Sequence, residues 1–297
     1  MGKRRYRALG RGLAASLAVV MGLMVLALGA QTVWAHRQPE FQPEGQQVEL
    51  RHVLERESLR REDYDLIFRQ TGLSQAAVDD LLSRGEAGVE QILETQEGFF
   101  AHYERTCVEL IGGRFTCEDK LLDEAGQPIR AVPLAPLEPG DLLVTFSTHS
   151  LGWRHGHAGL ITDPDSGRVL EALQLGADSK EAKLDRWRSY SNLLVLRVKD
   201  AVDQMKRQVV RFAQEHLTGV PYSLLAGLTG SKVETDETMK VQCAYLPWLA
   251  WEQAGVDLDS DGGQVVTVRD LAESPLVEVV QVYGLEPELV ADRQCRS

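Results

Sequence analysis

The sequence predicts an α+β protein, with an antiparallel sheet packed on helices and a small all-helical region ahead of it. Three observations predict it. From about Val48 to Tyr103, apolar residues recur at the spacing of helix faces. Between Leu142 and Val198 the pattern changes to short β-type runs separated by turn residues. Two helical stretches and one late strand then follow. Strands that lead and helices that follow argue for an antiparallel sheet rather than alternating βα units. At 297 residues the chain has room for one large domain or two ordinary ones.

Residues 1–35 read as a targeting segment and stand outside the fold. Lys3, Arg4, Arg5, Arg7 and Arg11 precede the uncharged apolar run Leu13–Ala30, and Val33-Trp34-Ala35 offers a cleavage site after Ala35. A basic start followed by an apolar stretch is how an export signal is built. Two readings stand: a cleaved signal peptide, or an uncleaved anchor through residues 13–30, since 18 apolar residues reach the lower limit for spanning. Both place the remainder outside the cytoplasm, secreted or held on the outer face of the membrane. No Cys follows the apolar run, so no lipid attachment is expected there.

Residues 36–105 begin with a polar leader and continue as the helical region. Tyr64, Ile67 and Phe68 share a face that Gly72 closes as a C-cap. Ser74 is an N-cap for a helix bearing Ala77, Val78, Leu81 and Leu82. Val89, Ile92, Leu93, Phe99 and Phe100 make a third stripe. This region carries no evident chemistry. Residues 106–138 read as a hairpin and a Pro-rich connector. Cys107 and Cys117 flank Gly112-Gly113, and a three-residue loop at Ile111–Gly113 sets the two cysteines opposite each other, within reach of a disulfide. Export makes that bridge persistent. Cys243 and Cys295 remain, and a bridge between them is the structural reading of Cys243.

Residues 139–285 carry the predicted sheet: Leu142–Phe146, His157–Thr162, Val169–Leu173 and Asn192–Val198, with Pro164–Gly167 as a turn. Ala201–Leu217 is a helix through Val202, Met205, Val209, Phe212 and Ala213, and Cys243–Ala254 is a second, rich in Leu and Trp. Thr267–Leu271 starts a short helical turn, Val277–Tyr283 is the last strand, and residues 286–297 are a tail. Asp257–Gly262 opens like a calcium loop, but its twelfth position is Val268 rather than a bidentate Glu, so a capped acidic turn is the better reading. No metal or other cofactor is expected.

Three segments combine into chemistry: Pro139-Gly140-Asp141 with Trp153–Leu160, Val169–Ala172, and Val241–Trp248. A cysteine at a helix start sits where unsatisfied amides and the positive helix end favour thiolate. Pro247 fits that start, because proline is tolerated in a first turn and not in a helix interior. A histidine on a facing strand can take the thiol proton, and a carboxylate on the next strand can orient the histidine.

The segments PGDLLVTF, HGHAGLI, VLEA and QCAYLPWLAWEQAGVDLD, in the order His, Glu, Cys, resemble the permuted NlpC-type papain-like cysteine hydrolases, the YiiX- and YaeF-like amidase group. The resemblance covers about Pro139–Tyr283. It implies a permuted papain-like sheet, with Cys243 as nucleophile, His157 as general base and Glu171 as the orienting group. His155, two residues earlier on the same predicted strand, is a rival that faces the same side; His157 is preferred because it holds the H-x-G place. For His157 and Glu171 to share a face, directly opposed residues of this hairpin must have numbers with an even sum, as in a pairing of His157 with Leu173. Tyr222, in a Gly219–Tyr222 segment that resembles the G-x-P-Y of the group, is a substrate-binding candidate or a packing residue. His155 and Trp153 are further substrate-binding candidates, and Trp248 and Trp251 read as core or cleft wall.

The resemblance implies an exported hydrolase that cleaves an amide bond in a peptide or peptidoglycan-like substrate. Two other readings stand beside it: an ester, thioester or lipid-amide hydrolase or acyltransferase using the same residues, and a non-catalytic secreted scaffold. A Cys243–Cys295 disulfide favours the scaffold, because it blocks the nucleophile. Charge adds an exclusion. The chain has 32 basic and 44 acidic residues, and residues 36–297 keep 27 basic residues against the same 44, a net of −17. Nucleic acid is excluded as a partner, and anionic wall polymers or lipids are not attracted by charge.

Overall fold

The computed structural model describes residues 43, 45–109, 116–150, 153–227, 232–233 and 239–287, together with 16, 19–27, 29 and 30. It is an α+β protein. Residues 19–27 are helical, and four helices follow after the leader: α1 (Arg51–Leu54), α2 (Arg61–Thr71), α3 (Gln75–Ser83) and α4 (Glu86–Phe100). Then come β1 (Glu104–Glu109), β2 (Thr116–Leu122), β3 (Leu142–Thr145), β4 (Thr148–Ser150), β5 (His157–Asp163), β6 (Arg168–Glu171), β7 (Lys180–Lys183), a 3-10 turn (Leu184–Ser189) and β8 (Leu193–Val198). The chain continues through α5 (Asp203–His216), α6 (Tyr245–Glu252), α7 (Val268–Glu273) and β9 (Val277–Tyr283).

Six strands form one antiparallel sheet in the order β7-β6-β5-β3-β8-β9, and β1-β2-β4 form a second, three-stranded sheet. The large sheet is buried on both faces. Leu142, Val144, Ala158, Leu160, Leu194 and Leu196 pack with Val209 and Ala213 of α5 and with nearly all of α6. Leu143, Ile161, Val169, Val195 and Val280 point the other way, into a core shared with Leu50, Ile67, Leu81 and Ile92 of the leading helical region. Period-2 alternation assigns the odd and even residues of one strand to opposite layers. Burial on both sides explains why LLVT of β3 shows no polar alternation. It also explains YLPWLAWE of α6, which is covered all round.

The two predicted caps are present: Gly72 ends α2 with φ 71°, and the Ser74 side chain accepts from the Ala77 amide. Thr267 and Asp270 add a capping box at the start of α7 that the sequence reading did not name. Val202, read above as part of a helix from Ala201, is instead the exposed N-cap of α5, which starts at Asp203.

Cys107 and Cys117 form the expected disulfide, with Cα atoms 5.4 Å apart. Their register differs from the expectation. Cys107 faces Asp119 and Glu109 faces Cys117, so the cysteines are diagonal neighbours rather than directly opposed. The pairing is displaced by two residues from the one that a three-residue loop dictates; the loop positions Ile111–Gly113 lie outside the described residues. The second strand of this hairpin also pairs with β4, which makes it part of a sheet. The bridge fits an oxidising, extracytoplasmic compartment. Among the described residues no helix is long and apolar enough to cross a membrane. The cleavage site after Ala35, the basic residues before Leu13 and Cys295 lie outside the described residues.

Candidate active site

His157 opens β5 and Glu171 closes β6. The two strands pair Gly159 with Glu171, Leu160 with Leu170 and Ile161 with Val169, an even-sum register of 330. His157 and Glu171 therefore lie on one face. His157 Nε2 meets Glu171 Oε2 at 3.0 Å, and both side chains are buried. The intervening Gly159 makes this packing feasible. A Cβ there would stand 2.9 Å from Trp187 Cζ2 and 2.6 Å from Val169 Cγ1. Without one, the Trp187 indole slides over the strand and stacks on the His157 ring at 5.1 Å between centroids and 16° between planes.

Cys243 lies two residues ahead of α6, whose N-cap is Ala244 and whose third residue is Pro247. It is buried and carries a free thiol. The thiol is near enough to His157 to support the charged form of its ring. Gln242 braces the turn: its Oε1 accepts from the Ala244 amide at 2.9 Å, its Nε2 donates to the Val266 carbonyl, and the Cys243 sulfur lies 3.5 Å from Oε1.

The electrostatics follow from these contacts. Burial works against the His157 imidazolium, but hydrogen bonds to Cys243 and Glu171 and their charges outweigh it, raising the pKa to about 9. Burial likewise opposes the Glu171 carboxylate, and the His157 bond with the charges of Arg186 and Lys120 holds its carboxyl below the usual range. Arg186, on the 3-10 turn, donates to Glu171 Oε1 and reaches Glu118 of β2 with its other nitrogen.

The other predicted residues are placed as follows. His155 is not on the strand. Gly156 has φ +77°, so the alternation expected between His155 and His157 is broken. His155 Nε2 bonds the Ser150 hydroxyl at 2.9 Å, its Nδ1 bonds the Gly156 carbonyl, and its ring sits edge-on to the exposed Trp153. Tyr222 pairs in parallel with Val241 and is close enough for the Cys243 charge to add to burial in raising its phenol pKa. Asp141 is a structural group: Arg197 binds both its oxygens at 2.9 and 2.8 Å. Trp248 and Trp251 are core, with indole nitrogens on Asp257 and the Gly140 carbonyl.

Among the described residues, two groups of side chains have metal-ligand proximity. The sulfurs of Cys107 and Cys117 beside His149 are joined to each other. Of Asp259, Asp261 and Asp270, the first is paired with Lys232 and the last caps α7. These carboxylates do structural tasks. The sequence reading missed Arg186, Glu118, Lys120, Tyr190 and Gln242. Gln242 lies in the QCAYLPW segment but was given no role; the other four stand in no motif, and a charged strand such as TCEDKLL signals solvent rather than burial.

No protein-family model matches the chain, and no curated protein matches it. Among solved structures it is similar to the crystal structure of the metalloprotein yiiX (DUF1105) from Escherichia coli O157:H7. The identity is 14%, the match covers 48% of this chain and 96% of that one, and the TM-score is 0.37.

Proposed function

We propose that the protein is an exported cysteine hydrolase that cleaves an amide bond, with cell-wall stem peptides as the leading substrate class. The observation that supports this reading is the line Cys243, His157, Glu171: the His157 ring is bonded to Glu171 at 3.0 Å, and the buried free thiol of Cys243 lies close enough to support the ring's charge. Glu171 holds the ring with Nε2–H toward itself and leaves Nδ1 to exchange a proton with sulfur.

The Cys243 sulfur attacks the carbonyl carbon, a C–S bond forms, and the π electrons move to oxygen. The backbone amide of Cys243, at the helix start, serves as one donor to that oxygen. On collapse the C–N bond breaks, and His157 delivers its proton to the leaving amine. Water then gives a proton to His157 and attacks the thioester; the C–S bond breaks, and the acid and the free cysteine are released.

A second reading, an apolar acyl ester or amide as substrate, is favoured by Leu224 and Leu225, which are exposed just beyond Tyr222. Purified stem peptides set against a panel of acyl esters separate the two. Replacing Cys243 by Ala or Ser is expected to lower turnover at least ~10³-fold, with the fold retained in circular dichroism. Full activity in Cys243→Ala removes the mechanism altogether.

A further inference from the structure

We propose that Arg186 is a positioning residue for the Cys243–His157–Glu171 line and that Glu118, supplied by the second sheet, fixes it there. The inference rests on the catalytic reading of that line and deepens it. Glu171 has both oxygens engaged from different sides. Oε2 meets His157 Nε2, and Oε1 takes Arg186 Nη1 at 2.5 Å. The carboxylate torsion of glutamate is broad and has two-fold symmetry, so one hydrogen bond leaves it free to swing; two bonds from opposite directions set it.

Arg186 is itself fixed. Its Nη2 donates to Glu118 Oε1 at 2.5 Å and to the Tyr190 hydroxyl at 2.8 Å. Tyr190 donates to the same Glu118 oxygen, and Lys120 lies 3.4 Å from the other. The planar fork of arginine reaches two carboxylates at once; the single ammonium of lysine cannot. The charges alternate along the row: imidazolium, Glu171, Arg186, Glu118, Lys120. Each buried charge has an opposite neighbour, and removing one member leaves a buried carboxylate short of a partner. Three elements thus converge on one catalytic carboxylate: β6 carries it, the 3-10 turn clamps it, and β2 braces the clamp.

The titratable groups around the row come from every element packed on it. Besides those named, His155 faces His157 from the loop before β5, and Tyr222 faces Cys243. The test therefore compares variants in the same surroundings. The rate of Cys243 alkylation by iodoacetamide is followed against pH in the full chain by peptide mass spectrometry, for wild type, Arg186→Lys, Arg186→Gln and Glu118→Gln. This readout needs no substrate.

Wild type is expected to alkylate with a midpoint below the free-cysteine value of about 8.5. Both Arg186 variants are expected to raise the midpoint by about one pH unit, a tenfold lower rate on the acid limb, because a displaced Glu171 no longer supports the imidazolium. Glu118→Gln should move it in the same direction by less. An ordinary wild-type thiol overturns the nucleophile itself. A low wild-type midpoint left unchanged in Arg186→Lys, or restored by lysine when glutamine fails, overturns the positioning role alone. If the Arg186 variants do not fold, an unchanged midpoint in folded Glu118→Gln overturns it.

Discussion

At the scale of single residues, the H-x-G strand acquires a physical meaning. His157 starts the strand, and Gly159 removes the one side chain that would stand between Trp187 and the His157 ring. Trp187 then seals the imidazole from water, which makes its two polar partners count for more. The raised pKa of His157 has a consequence for stability. Its folded value is about 9 against an ordinary 6.5, so folding favours the protonated form. The contribution is fully present below the unfolded pKa and is lost as pH rises through about 9. The unfolding free energy of wild type relative to His157→Gln should therefore fall by roughly 3 kcal/mol between about pH 6 and about pH 10. Denaturant titrations of both proteins across that range measure it, and a difference that is flat or grows with pH contradicts the buried imidazolium.

At the scale of elements, β2 shows why part of this molecule escapes a sequence reading. Its residues alternate between two duties: Glu118 and Lys120 turn toward Arg186 and Tyr190, while Asp119 turns to His149 at 3.2 Å and Arg154 at 2.7 Å. Each charge is buried against a partner contributed by a segment distant in the chain, so neither hydropathy nor spacing reports it. Five of the six strands of the large sheet were legible because apolar runs and turn residues are local signals; the charged β7 was not. The β5–β6 register was posed as an even-sum condition for Glu171, which the observed pairing meets. The disulfide of this hairpin was legible from its spacing; its diagonal register was not, since that depends on the loop and on β4. Closing a loop with a sequence separation of 10 predicts a loss of about 3 kcal/mol for the Cys107→Ser, Cys117→Ser double variant. Urea unfolding, compared with wild type under oxidising and reducing conditions, checks this: the reduced wild type should match the variant, and equal stability of oxidised wild type and variant would show that the bridge adds nothing.

At the scale of the whole molecule, the two cores define what is available to a substrate. Helices cover both faces of the large sheet, and the His157–Glu171 pair stands where β5 begins and β6 ends. The basic groups nearest the row, Arg186 and Lys120, are already committed to Glu171 and Glu118. They therefore give no attractive field to an incoming anion, while residues 36–297 carry a net charge of −17. Long-range electrostatics then oppose an anionic substrate and are indifferent to a neutral one. Screening lengths fall from about 30 Å to about 10 Å as ionic strength rises from about 0.01 M to about 0.1 M, so salt should relieve the repulsion. For an anionic stem peptide, kcat/KM is expected to rise several-fold, on the order of 3 to 10, across that range, and to stay level for an uncharged amide of the same core. The rise belongs in KM or the association rate and leaves kcat alone, because the bound geometry is set by buried, weakly screened pairs. A fall in kcat/KM with salt would mean that an attractive basic surface reaches the site, and would reverse the charge argument against anionic wall polymers.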